Sequence, residues 1–231
     1  TVLLLEEFAR SAPFPVRIVQ NGENLGFANN FLKCASICRG DWTTFCDQDD
    51  IWLPHKLACM AEEIERSGDD VVLLYHAASL VNEALEPTGT LLPHIPSRRV
   101  HPSGDRSAFW FVGGCVMCFR SCLLEGMDSA ARPMDSYRGN KGWENGGVAW
   151  MPHDKWVCLL ANMCGTTVAI PDVLSLYRRH ATTATGSHLD QGIAQRIAQA
   201  RATGTADYEF MAARSRDASK SLRGLGLSSL D

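Results

Sequence analysis

The chain has 231 residues, 45% hydrophobic and 21% charged, with a formal net charge of -4. That is enough apolar material for one domain with a sizeable core, and nothing in it signals disorder, fibre or collagen. Basic residues are scattered rather than massed, which argues against a nucleic-acid partner.

No apolar run approaches the roughly 20 residues that cross a bilayer, and the first residues lack the basic-then-apolar layout of a secretory leader. The expectation is a soluble, cytoplasmic protein. Nine cysteines, an odd number set mostly in apolar stretches, predict reduced thiols used as small core residues. Cys115-x-x-Cys118, with Cys122 beyond, could be a zinc or redox site, but a second pair at ligand spacing is missing.

In chain order, Leu4, Leu5 and Phe8 fall at helical spacing over Thr1 to Arg10, and Pro13 and Pro15 stop that helix. Val16 to Val19 reads as a short β-branched strand. The Asn- and Gly-rich stretch from Asn21 to Asn30 reads as a loop, and Phe31, Leu32, Ala35 and Cys38 then mark one helix face that ends at Gly40. Trp42 to Cys46 predicts a buried strand that runs straight into Asp47, Gln48, Asp49 and Asp50. Pro54 opens a helix through Ile64, and Val71 to Tyr75 predicts a strand.

Strand and helix alternate here as in a parallel sheet with crossover helices, whose ligands bind beyond the carboxyl ends of the strands. Residues 82–106, with four prolines, predict a long surface excursion. An apolar block over Phe109 to Phe119 carries Gly113 and Gly114. A polar loop follows from Asp128 to Gly147, then a helix from near Pro152 to Met163, then a strand near Thr167 to Ile170. Residues 187–231 predict a helical tail that frays at its end. The chain therefore divides into a domain over 1–186 and that tail.

Carboxylates crowded at a strand end repel one another, and a hard divalent cation shared with substrate phosphates removes the conflict. Asp47 and Asp49 could supply the metal's ligands, with Mg2+ or Mn2+ as the ion. A solvated turn or a helix N-cap is the competing reading of an Asp-x-Asp pair. Phosphohydrolases of the haloacid dehalogenase type also place Asp-x-Asp after a strand, but they continue into Gly or a hydroxyl residue; here Asp50, Ile51 and Trp52 follow.

The run from Phe45 to Leu57, FCDQDDIWLPHKL, closely resembles the metal-binding segment of family 2 glycosyltransferases, particularly rhamnosyltransferase-like enzymes of bacterial polysaccharide assembly. Four more segments agree in order. Asn24 to Phe31, including Gly26 and Asn30, resembles the family's nucleoside-contacting loop. Phe111 to Met117, with Gly113 and Gly114, resembles the segment beside the donor sugar and acceptor. His153-Asp154-Lys155-Trp156 is similar to the catalytic-base segment, and Leu176 to His180 to the C-terminal motif.

The resemblance implies an α/β fold of the GT-A type, a mostly parallel sheet flanked by helices. It also implies a preceding strand-helix-strand, of about 30 residues or more, that does not occur in the 231 residues, so the expectation is an N-terminally truncated domain. The implied activity is inverting transfer of one sugar, such as a rhamnosyl or other hexosyl group, from a nucleotide-diphosphate donor to a glycan or lipid-linked acceptor in surface polysaccharide synthesis. The alternatives are a non-catalytic sugar- or metal-binding remnant and a metal-dependent phosphohydrolase.

On this resemblance Asp49, Asp47 and His180 hold the metal; Gln48, Arg178 and Arg179 contact the donor; and Trp52, Gly113, Gly114 and His153 lie near sugar or acceptor. Asp154 is the general base. Residue chemistry alone leaves alternatives: Asp154 as a helix-start residue, Arg178 and Arg179 as a basic surface strand, Gly113 and Gly114 as a bulge, and Trp52, Trp110, Trp143 and Trp156 as core. Peripheral membrane contact through the tail is a further expectation.

Overall fold

The computed structural model describes residues 1–107, 110–125, 132, 134–135 and 149–179. Trp143, His180, the tail over 187–231 and most of the loop over 128–147 lie outside the described residues. Among the described residues no helix is long and apolar enough to cross a membrane.

Helix α1 (Val2–Ser11) is followed by an irregular stretch, α2 (Gly26–Ser36), β1 (Trp42–Thr44), β2 (Ile51–Trp52) and α3 (Lys56–Arg66). Then come β3 (Val71–Val81), β4 (Pro87–Leu92), β5 (Arg99–His101), a single 3-10 turn at Gly114–Val116 and β6 (Met117–Arg120). After these, β7 (Met134–Asp135), β8 (Ala149–Trp150), α4 (His153–Cys164) and β9 (Thr166–Arg178) complete the described elements.

The main sheet runs β1-β6-β3-β9-β2, with β4 paired to β3 and β5 to β9; β7 and β8 pair separately. Strand β3 is its centre because its apolar residues continue without alternation, so both faces need cover. Leu73 packs into a core shared with α2 and α4, while Leu74 packs into one shared with α3. The sheet is therefore the middle of three layers. Burying each of these leucines contributes about 1.5–3 kcal/mol.

The α/β expectation of a sheet flanked by helices stands, but the strand directions are mixed. Only β3 with β9 is a parallel pair among the described strands; β1 with β6, β3 with β6, β3 with β4, β2 with β9 and β5 with β9 are antiparallel. Short connections permit antiparallel neighbours, whereas the parallel pair needs a long crossover, which here includes α4.

Three further expectations are corrected. Val16 to Val19 is irregular, and among the described residues no strand pairs with it to complete a ladder. Residues 82–106 are not simply a surface excursion, since β4 and β5 extend the sheet from within them. Of nine free cysteines, only Cys115, Cys118 and Cys158 are buried, so most are not core residues.

Helix α1 buries none of its residues, and Leu3 is 79% exposed. By contrast α4 is buried along most of its length, and Gly165 ends it where a Cβ would come within 2.5 Å of the Asp70 carbonyl oxygen. A small residue there lets the helix turn directly into β9 beside β3.

Candidate active site at the carboxyl end of the sheet

Strand β1 delivers the aspartates. Phe45, 3% exposed, anchors its end in the core, and the chain then emerges through Asp47 and a turn at Gln48–Asp49 to Asp50. The strand is held to β6 by Thr44, whose hydroxyl donates to the Met117 carbonyl at 2.7 Å. Because β6 is antiparallel to β1, the glycine turn that precedes β6 reaches the same end of the sheet.

Asp47, Asp50 and Cys115 can each place one ligand atom so that all lie within 4.8 Å of one another. Burial, followed by the charges of Asp50, Asp49 and Asp154, pushes the Asp47 carboxyl up to about 6. Asp50 is also raised, by burial first. A set of partly desolvated carboxylates in mutual repulsion fits a divalent cation, which would remove the conflict. The grouping unites Asp47 with Asp50 and Cys115 rather than with Asp49, which lies in the turn itself. Asp50 also accepts the Arg178 backbone N–H at 3.0 Å and so ties the end of β9 to the aspartate loop. The side-chain nitrogens Arg178 Nε and Arg179 Nε are themselves buried.

The N-terminus of α4 supplies the fourth wall. Asp154 lies in its first turn, where the helix dipole favours a carboxylate, and its Oδ1 accepts the Lys155 N–H at 2.8 Å. His153, assigned on sequence to sugar or acceptor, has a different setting. It is 5% exposed, stacks on Phe31 at 4.4 Å between ring centroids, and meets Phe45 edge-on at 4.8 Å. Burial, with Arg132 adding to it, holds its pKa down to about 3, so the ring is a neutral wedge. Gly114 is its seat: a Cβ there would come within 2.9 Å of His153 Nε2. Gly113 has an ordinary φ of -63° and room for a Cβ, so nothing inside the fold requires glycine at that position.

Asn24 accepts the Gly26 N–H at 2.9 Å, and Gly26, at φ +70°, turns the chain into α2. Asn30 accepts a bond from Asn21 at 2.7 Å. All three are exposed, as is Gln48. Trp52 is half-buried with its indole Nε1 inside, and its ring lies under the Lys56 ammonium at 4.2 Å.

Two residues of this region have no role assigned on sequence, although Lys56 lies within the Phe45–Leu57 run. Lys56, 1% exposed, opens α3 immediately after the aspartate segment and looks like an ordinary solvent-facing lysine. Arg132, equally hidden, donates to the Met151 carbonyl at 2.8 Å and to Asn29, linking the approach to α4 with α2. Their partners are distant in sequence, and no local pattern encodes them. A separate concavity lined by Ser36, Asp41, Arg120 and Glu125 opens at the opposite end of β1, away from the carboxylates.

Open α/β sheets bind their ligands in the crevice beyond the carboxyl ends of the strands, and it is there that these acidic groups converge. The chain belongs to glycosyl transferase family 2, whose family model matches residues 1–126. A similar protein is an uncharacterized glycosyltransferase of Haemophilus influenzae, 34% identical over 76 residues, 32% of this chain and 26% of that protein. The chain thus matches about a quarter of that relative's length. The family match takes in α1 through β6, with Asp47, Asp49, Asp50, Gly113 and Gly114; Asp154, Arg178 and Arg179 lie beyond it.

Proposed function

We propose that the protein transfers one sugar, with inversion, from a nucleotide-diphosphate donor to a glycan or lipid-linked acceptor in bacterial surface polysaccharide assembly. The observation that carries this reading is the convergence of carboxylates from two distant segments: Asp47 and Asp50 from the end of β1, and Asp154 from the start of α4, whose charge is felt at Asp47.

Mg2+ or Mn2+ bound by Asp47 and Asp49, with His180 joining, would supply Lewis-acid stabilisation to the departing diphosphate. Gln48, Arg178 and Arg179 contact the donor, the arginines giving charge-assisted hydrogen bonds to phosphate. Asn24, Gly26 and Asn30 border the nucleoside, while Gly113 permits close backbone approach to the sugar beside Trp52. Asp154 accepts the proton of the acceptor hydroxyl as that oxygen attacks the anomeric carbon from the face opposite the leaving group. With a lipid-linked acceptor, the reading implies work at the cytoplasmic face of a membrane.

The test is release of nucleoside diphosphate from a panel of nucleotide sugars with Mg2+ or Mn2+, with and without saccharide acceptors. Turnover that needs both metal and acceptor is expected, and Asp154→Asn should lower kcat by about 100-fold or more without a matching rise in donor KM. Phosphate release that ignores the acceptor would make the protein a hydrolase instead.

A further inference from the structure

Lys56 is among the most hidden side chains in the protein, though it carries a cation. Its ammonium donates to the Cys115 carbonyl at 2.7 Å and to the Ser175 hydroxyl at 3.1 Å, and its third side rests on the Trp52 ring at 4.2 Å. These contacts join the start of α3, the glycine turn before β6, the far half of β9 and strand β2. Each borders the aspartate loop. Cys115, whose carbonyl takes the shortest of these bonds, belongs through its thiol to the same cluster as Asp47 and Asp50.

A buried ammonium survives when its donors are satisfied and opposite charge lies near; hydrogen bonds and a ring face supply the first condition here, and Asp50 and Asp47 the second. A cation fixed there competes electrostatically with any divalent ion that the carboxylates attract.

We propose that Lys56 is the positioning residue of this site: one buried ammonium ties the glycine turn, β9 and Trp52 together behind the aspartates, and its charge holds down the cluster's affinity for a divalent cation. The ion is then held firmly only when donor phosphates add their own charge. This inference rests on the metal-dependent reading above and adds to it a residue outside the assigned ligands.

The experiment is a Mn2+ titration without donor, near neutral pH, followed by the electron paramagnetic resonance signal of free Mn2+. Lys56→Met is expected to bind Mn2+ at least ~threefold more tightly than the unaltered protein. Should Lys56→Met not fold, Lys56→Gln, which keeps a donor for the Cys115 carbonyl, carries the same expectation. Lys56→Arg, which keeps the charge, should stay near the original affinity. A merely structural lysine would instead give looser Mn2+ binding in every variant. Equal or weaker binding by a folded neutral variant overturns the role of Lys56 while leaving the metal reading intact. An unaltered protein that binds no Mn2+ sinks the metal reading, and this inference with it.

Discussion

At Asp47 the demands of folding and of function oppose each other. Its carboxyl rises from an ordinary 3.8 to about 6 in the fold, so ionising it at neutral pH works against the folded state. The penalty is full above about pH 6 and absent below 3.8. A shift of that size corresponds to about 3 kcal/mol, reduced to about 1–2 kcal/mol because the side chain is only partly buried. Without metal, Asp47→Asn should therefore unfold at a higher temperature than the unaltered protein at pH 7, and calorimetry near pH 4 should find the difference gone. Gly114 gives a second residue-level test. Gly114→Ala should lower stability by about 1–3 kcal/mol because His153 cannot retreat from its aromatic cage, whereas Gly113→Ala should fold normally. Equal melting temperatures for the two alanine variants would remove the cage as the reason for Gly114. Asp47, Asp49 and the two glycines could be found in the sequence because residue type and adjacency mark them. The burial of Lys56 and the aromatic cage around His153 could not, since partners far along the chain create both.

Among the elements, α1, α2, α3 and α4 follow their apolar spacing, while the strands depart most from expectation. Pro87 starts β4, an edge position where a missing N–H costs little, so the proline-rich region hides strands that a propensity reading discards. Strand β9 likewise continues past Pro171, because the pairing with β3 skips from Ile170 to Val173 and leaves the proline in a bulge. What fastens the connection between β4 and β5 is Glu63 of α3, 1% exposed, which accepts two bonds from Arg98 at 2.9 and 2.6 Å as well as contacts from Arg66 and Ser67. Burial pushes the Glu63 carboxyl up, but the two arginines outweigh it and leave it below its ordinary 4.5. Its contribution is accordingly complete above pH 4.5 and lost as pH falls through the lower, folded value. Glu63→Gln should cost about 1–2 kcal/mol at pH 7, less than a fully buried pair because both arginines are partly exposed. Denaturant titrations should show that loss shrinking toward pH 3; a constant loss would mean that shape, and not charge, is what Glu63 provides.

The molecule as a whole separates a rigid centre from an assembled rim. The centre is β3 between β6 and β9, with apolar layers on both faces, and β3 itself contains none of the proposed ligands. The rim brings together the aspartate loop, the glycine turn, the first turn of α4 and the end of β9, each on a different connection. The hydrogen bond from the Arg178 N–H to Asp50 spans 128 positions of sequence, and Asp50 is thus a fastener as well as a charge. Such rims open more readily than the cores beneath them. In Asp50→Ala the Arg178 amide should exchange with solvent at least ~tenfold faster, because the acceptor is gone and β9 can fray from its end. The amides of Leu74 and Ala169, central in the β3–β9 ladder, should keep their protection. The Arg179 N–H still donates to the Val81 carbonyl at 2.9 Å, which limits the fraying to the last residues. Unchanged exchange at Arg178 would mean that the ladder with β3 alone holds the strand end, and that Asp50 contributes only its charge to the site.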